Sequence, residues 1–274
     1  MAINKDSTSY IVIFSVVVCA ICSLLLSWVN SSLQERQEAN AQNYIYFNVL
    51  KVVGLKVYVG DPEKGVKISA AEIQKLYNEN IIEEVYDENG KIVTVFDAKV
   101  KNEKASFVKM TKPMLKAKKY RSIFKLVDKD KNVLNYAVPI SGSGLWGMMW
   151  GFLSFKADCK TVSGITFYSH VETPGLGAEV EKPWFQNQYN NPEKPIYLRD
   201  DKGDLVDILL IKGGVDAKYN DPSNPMRTHS VDGIAGATIT SNGLNVFINN
   251  DLKAYEKLYF KNKFQSLQLK KVEE

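Results

Sequence analysis

The chain has 274 residues, 45% of them hydrophobic, enough for one large domain or two small ones. A net charge of +4 is too small to demand a nucleic-acid partner, and none is expected. With two histidines, and with Cys159 as the one cysteine outside the apolar N-terminal run, a histidine-built metal site and an internal disulfide of the soluble part are excluded, and no metal is expected.

A short tail (residues 1–9) precedes YIVIFSVVVCAICSLLLSWV, residues 10–29, which carries no charge. A membrane-spanning helix needs about 20 apolar residues, whereas the apolar part of a cleaved signal is about 7–15 residues long and ends at small residues. Ser27, Trp28 and Val29 make a poor cleavage site, so a retained single-pass anchor in membrane lipid is expected, with Trp28 at the interface. Lys5 and Arg36 flank the run almost symmetrically; the short tail favours the cytoplasm, which puts the soluble part on the far side. Cys19 and Cys22 have C-x-x-C spacing but fall inside the apolar run, where they read as two small apolar residues.

Residues 30–134 read as a membrane-proximal region, helical at first and mixed α/β thereafter. SSLQERQEANAQNYIYFNVLKVVGL continues as a helix leaving the membrane, with Gly54 at its end. Ser69 and Glu72 form a capping box, and Ile73, Leu76, Ile81 and Val85 predict a helix beyond it. DENG (87–90) is a turn and KIVTVFDAKV (91–100) a strand. Residues 99–120 are lysine-rich and irregular, and KAKKYR (116–121) reads as a solvated basic patch. SIFKLV and NVLNYAVPI predict two strands joined by DKDK.

The character changes from about residue 135, and residues 135–265 read as a second region, followed by a tail, 266–274. ISGSGLWGMMWGFLSF mixes small and aromatic residues, TVSGITFYSH alternates like a strand, and VETPGLGAEV is a Pro/Gly turn. EKPWFQNQYNNPEKP predicts a short helix and loop, LVDILLIKGG a strand, and NDPSNPMRTHSVDG a loop. Leu244, Phe247, Ile248, Leu252, Tyr255 and Leu258 predict a final helix. The fold class is therefore α+β: one N-terminal transmembrane helix, then a soluble α+β domain.

The segment DGIAGATITSNG (232–243) places Thr238 and Thr240 on a glycine-rich turn just ahead of that helix. Ser241 or Thr240 is expected to cap it, Thr238 to stand just before it, and the free N–H groups at its start to favour a phosphate. Gly233 and Gly236 let backbone approach such a group closely. The alternative reading is a plain capped helix.

DGIAGATITS resembles the flavinylation motif Asp-x-x-(Ser/Thr)-Gly-Ala-Thr of the FMN-binding domain family, found in sodium-translocating NADH:quinone oxidoreductases and in Rnf complexes. HVETPGLG (170–177) and GSGLWGMMWG (142–151) resemble two further hallmarks of that family, in the same order. With the anchor, the whole resembles the C subunit of the sodium pump in a bacterial inner membrane, soluble part periplasmic, over about residues 135–265. One position departs from the pattern: Ala235 stands where the family has Ser or Thr, so a hydroxyl that could touch the phosphate or the loop is missing.

The resemblance implies FMN bound covalently through a phosphoester to Thr238, attached by a flavin transferase, in a chain that relays electrons among other membrane subunits. It implies that Asp232, Gly236 and Ala237 frame the acceptor, with Asp232 either recognised by the transferase or forming an Asx turn. Leu145, Trp146 and Leu176 would wall the flavin ring, Thr173 and Gly177 would bond its edge, and Glu172 would fix the turn. Lys212 would stabilise an anionic reduced flavin. GSGLWG is not a dinucleotide fingerprint, so NADH is expected to meet a different polypeptide of the complex. Two alternatives remain open at this point: the G subunit of an Rnf complex, and a membrane-anchored binding or assembly protein with no redox role.

Overall fold

The structure is a computed structural model that describes residues 7–60, 65–96, 107 and 116–273. It divides into two units, residues 1–43 and residues 44–274. In the first unit, helix α1 (Thr8–Val52) begins, and it is long and apolar enough to cross a membrane. The anchor and the helix expected to follow it are thus one element; it ends at Val52 and the chain turns at Gly54, φ +88°.

In the second unit, a six-stranded antiparallel sheet has the order β4-β3-β5-β6-β7-β8. Its strands are β3 (Ile81–Tyr86), β4 (Ile92–Phe96), β5 (Arg121–Val127), β6 (Val133–Ser143), β7 (Met148–Lys156) and β8 (Val162–Ser169). A two-residue pair, β1 (Tyr58–Val59) and β2 (Val66–Lys67), and helix α2 (Ala70–Asn80) precede it. The boundary expected at residue 134 falls inside β6, and the sheet runs across it.

Both faces of the sheet are covered, which is why β6 and β7 read as apolar runs rather than clean alternation. On one face Phe124, Leu126, Ala137 and Phe152 pack with Tyr46, Phe47, Val49 and Leu50 from the end of α1 and with Ile73 and Tyr77 of α2. The rings of Tyr46 and Tyr77 stack with centroids 3.8 Å apart. On the other face Ile123, Tyr136, Val138, Ile140 and Leu153 meet Leu244, Phe247, Ile248, Leu252 and Tyr255 of the C-terminal helix.

The helix predicted beyond Ser69 forms, with its capping box, but it stops at Asn80. Ile81 and Val85, expected on its apolar face, instead belong to β3, where both are buried. A spacing of four residues suits a helix face and one face of a strand alike, so the periodicity there was ambiguous. The DENG turn closes as expected: Asp87 Oδ1 accepts the Asn89 and Lys91 amides, and Gly90 takes φ +77°. Strand β4 covers residues 92–96 of the expected strand; residues 97–100, and most of 99–120, lie outside the described residues.

KAKKYR is not a simple solvated patch. Lys118 Nζ lies 2.6 Å and Arg121 3.2 Å from Asp251 Oδ1, whose side chain is 2% exposed. The Ser141 amide also donates to Asp251, at 2.9 Å. The two cations and the β6 amide therefore pin the C-terminal helix to the sheet.

After β8 come a short helix α3 (Pro183–Gln186), strand β9 (Leu209–Ile211), short helix α4 (Val215–Lys218) and strand β10 (Ser230–Asp232). The expected strand at LVDILLIKGG narrows to three residues, and the expected loop at 220–233 contains a 3₁₀ turn and β10. Strands β9 and β10 pair in parallel. Helix α5 (Thr238–Tyr255) follows, then a π turn over Glu256–Phe260 that takes Leu258 out of the α register, then helix α6 (Lys261–Glu273).

Asp251→Ala would take the carboxylate from two cations, leaving Lys118 only the Ser141 carbonyl, and would strand the Ser141 amide. The expected cost is about 3 kcal/mol in urea unfolding, against less than about 0.5 kcal/mol for the exposed Lys253→Ala. Cys159 is buried, and burial pushes its thiol up to about 12. Its peptide is expected to resist alkylation at pH 8 in the folded protein and to react once the chain is unfolded.

Candidate functional site

The first turn of α5 lies beside three other segments. Strands β9 and β10 run in parallel and end together, so Lys212–Gly214 and Gly233–Ala237 leave the sheet side by side. The Gly233 and Gly214 amides both donate to Ile211 O, at 2.9 and 3.2 Å. The Ala237 amide closes a four-residue turn on Ile234 O (3.1 Å), with Gly236 at its third position, φ +74°. A turn of that type requires positive φ there, which is why glycine fits.

Thr238 is the first residue of the helix rather than the residue before it, and it is exposed. The N-cap is Ala237, which has no side-chain capping bond. Neither expected cap serves. Thr240 is buried and its Oγ1 donates to Glu172 Oε2 at 2.5 Å, while Ser241 Oγ accepts from the Ile234 amide at 3.3 Å. With no side-chain cap, the amides of Thr238, Ile239 and Thr240 at the helix start have no intrahelical acceptor.

Glu172 gathers the segments. It is 6% exposed; Oε1 accepts the Trp146 amide at 2.9 Å, and Oε2 accepts the Thr240 hydroxyl. The Glu172 amide in turn donates to His170 Nδ1 at 3.2 Å. Two glycines make room for the carboxylate. A Cβ at Gly177 would stand 2.3 Å from Glu172 Oε2, and one at Gly144 would stand 2.5 Å from Oε1. The expectation that Glu172 fixes its turn thus understates its reach, since it ties the 144–146 loop, its own turn and α5 together.

Trp146 is 66% exposed and its Nε1 donates to Thr173 Oγ1 at 3.0 Å. Leu145 is exposed beside it, and Leu176, also exposed, has its Cδ2 where it would stand 2.9 Å from a Cβ at Gly236. Leu145, Trp146, Thr173 and Leu176 form a largely apolar ledge near the Gly236 turn. Gly177 is buried behind it.

Beside the turn is an open groove of about 730 Å3, whose lining includes Thr238, Lys212, Gly213, Ala235, Gly236 and Trp184. Lys212 is exposed and has no acidic partner among the described residues. Asp232 forms no Asx turn of its own. Its Oδ1 accepts the Val215 amide at 2.6 Å, across the turn that holds Gly214, and its own amide donates to Gln188 at 2.7 Å. Ala235, the departure from the family pattern, is exposed on the groove. Trp184, Glu179 and Gln188 were missed by reasoning on sequence, because their positions depend on how the 177–190 segment folds back. The aromatic in EKPWFQNQ was the available signal.

Residues 144–253 match the model of the FMN-binding domain family. Several relatives are named as the C subunit of the Na(+)-translocating NADH-quinone reductase. One from Vibrio anguillarum is 31% identical, with 89% of this chain and 90% of the relative covered. One from Yersinia pestis is 32% identical, with 90% and 89% covered. A crystal structure of the same C subunit from Parabacteroides distasonis matches with TM-score 0.62 and 26% identity over 82% of this chain and 96% of that one. A crystal structure of the Shewanella oneidensis protein, TM-score 0.60 and 23% identical over 84% of this chain and 99% of that one, shares the fold.

Gly177→Ala is expected to displace the Glu172 carboxylate, lowering stability by about 1–3 kcal/mol and shifting Trp146 emission. Ala235→Ser, on the exposed side of the same site, is expected to stay within about 0.5 kcal/mol of the parent. Denaturant titration followed by tryptophan fluorescence checks both.

Proposed function

The chain belongs to the family formed by the C subunit of Na(+)-translocating NADH-quinone reductases, and from that premise we propose that it is a membrane-anchored electron relay carrying FMN as a phosphoester on Thr238. The observation that carries the attachment site is the contrast between two threonines on one turn. Thr238 is exposed at the helix start, while Thr240 is buried with its hydroxyl held by Glu172.

The residues present fit such a group. The open amides at the start of α5 and the positive end of the helix suit a phosphate on the Thr238 oxygen. Gly236 and Ala237 keep side-chain bulk away from it, and the exposed Thr238 can enter a flavin transferase that activates its weakly nucleophilic hydroxyl. Asp232 shapes the loop offered to that enzyme by holding the Val215 amide. The ledge of Leu145, Trp146, Thr173 and Leu176 supports one flank of the ring, with Glu172 and Gly177 fixing the ledge. Lys212, free of an acidic partner among the described residues, supplies positive charge that favours added electrons.

FMN, when bound, supplies the one-electron chemistry; the chain tethers it, orients it and sets the local charge. The apolar helix α1 supports insertion in the inner membrane among the other subunits of the complex, and the short N-terminal tail, which favours the cytoplasm, supports a periplasmic second unit. The shared name of the relatives favours the sodium pump over the G subunit of an Rnf complex.

The full chain co-expressed with a flavin transferase is expected to fluoresce in a denaturing gel, and its intact mass to include one flavin phosphate. Thr238→Val should abolish the glow and Thr238→Ser should retain it. A bare parent chain would overturn the electron-relay reading in favour of a non-redox assembly protein. A glow that persists in Thr238→Val would move the attachment elsewhere.

A further inference from the structure

The groove beside Thr238 has a wall that the ledge residues do not explain. Trp184 lines it, 45% exposed, at the second position of α3. The adjacent Phe185 is fully buried and meets the indole edge-on, with centroids 5.8 Å apart at 85°. The indole Nε1 donates to Glu179 Oε2 at 2.7 Å. Packing and this bond fix the indole and satisfy its only polar atom, so what it offers the groove is aromatic surface.

Gly213, Gly214, Gly233 and Gly236 contribute backbone without Cβ atoms to the lining. Of its charged groups, Asp232 accepts the Val215 amide and Glu179 the indole N–H, while Lys212 has no acidic partner among the described residues. A groove lined in part by glycine backbone, with one fixed aromatic and one unpaired cation, suits a flat conjugated ring that gains electron density. An aliphatic chain would gain burial against the indole but nothing from the lysine, whereas a conjugated ring that gains electron density uses both.

We infer that Trp184 is a second aromatic contact of the flavin ring tethered to Thr238, a positioning residue separate from the Trp146 ledge, with Glu179 holding its indole in place. This rests on the reading of Thr238 as the flavin attachment site. An indole against an excited flavin returns it to the ground state without emission, by passing an electron to the ring and taking it back. Trp184 therefore dims the native flavin, and its removal also changes the surroundings in which the ring is reduced.

The experiment uses the full-length chain co-expressed with a flavin transferase, as parent, Trp184→Leu, Trp184→Phe and Glu179→Ala. Attachment is read as the glow of the denatured band, and is expected to be equal in all four. Native flavin emission, normalised to that glow, is expected to rise several-fold in Trp184→Leu. It should rise in Trp184→Phe too, with the ring's midpoint potential closer to the parent's than in Trp184→Leu. It should rise by a smaller factor in Glu179→Ala, which keeps the indole and serves as the test if Trp184→Leu does not fold. Native emission and potential equal to the parent's in variants with intact attachment would overturn the inference. A parent chain with no glow would instead overturn the attachment on which it rests.

Discussion

A single buried carboxylate organises the site. Glu172 accepts the Trp146 amide on one oxygen and the Thr240 hydroxyl on the other, so three segments far apart in sequence meet on one side chain. Groups that accept from buried donors are expensive to remove, because the donors lose their partners as well. The two glycines pressed against the carboxylate show how little space it has. Everything that makes Thr238 distinct from Thr240 follows from this arrangement: one hydroxyl is consumed inside, and the other faces outward.

The sheet gives that arrangement a rigid base. Helix α5 lies on β6 through a full apolar face, and Asp251 locks its C-terminal half to Lys118, Arg121 and the Ser141 amide. Asn245 and Asn249 on the same helix bond the backbone of Leu210 and Ile208, so the chain leading into β9 is tied to the helix as well. An electron-relay subunit needs a fixed distance and orientation between its cofactor and its partners, and these contacts supply stiffness where α5 begins.

Much of this was legible in the residues. Leu244, Phe247, Ile248, Leu252 and Tyr255 recur at helical spacing, and each is buried against the sheet. The capping box at Ser69 marked the true start of α2. The end of α2 was not legible, because Ile81 and Val85 satisfy two periods at once. The helix cap at Thr240 or Ser241 failed for a different reason: local rules favour hydroxyls at a helix start, but Glu172, 68 residues away in sequence, claims the Thr240 hydroxyl. Lys118 and Arg121 looked like solvated surface because their acceptor, Asp251, is remote in the chain. Trp184 escaped notice on the same ground, since only tertiary folding brings it to the rim with Thr238.

The last turns of α1 carry a practical corollary. Tyr46, Phe47, Val49, Leu50 and Val52 are interior residues of the second unit, although they are continuous with the apolar helix that begins at Thr8. Proteolytic shaving ahead of Tyr44 spares all of them. A recombinant fragment begun after Gly54, at the seeming end of the stalk, would instead strip one face of the sheet and present Phe124 and Phe152 to water. Solubilising this chain is therefore a matter of trimming within the helix, since its terminal segment is part of the globule's own interior.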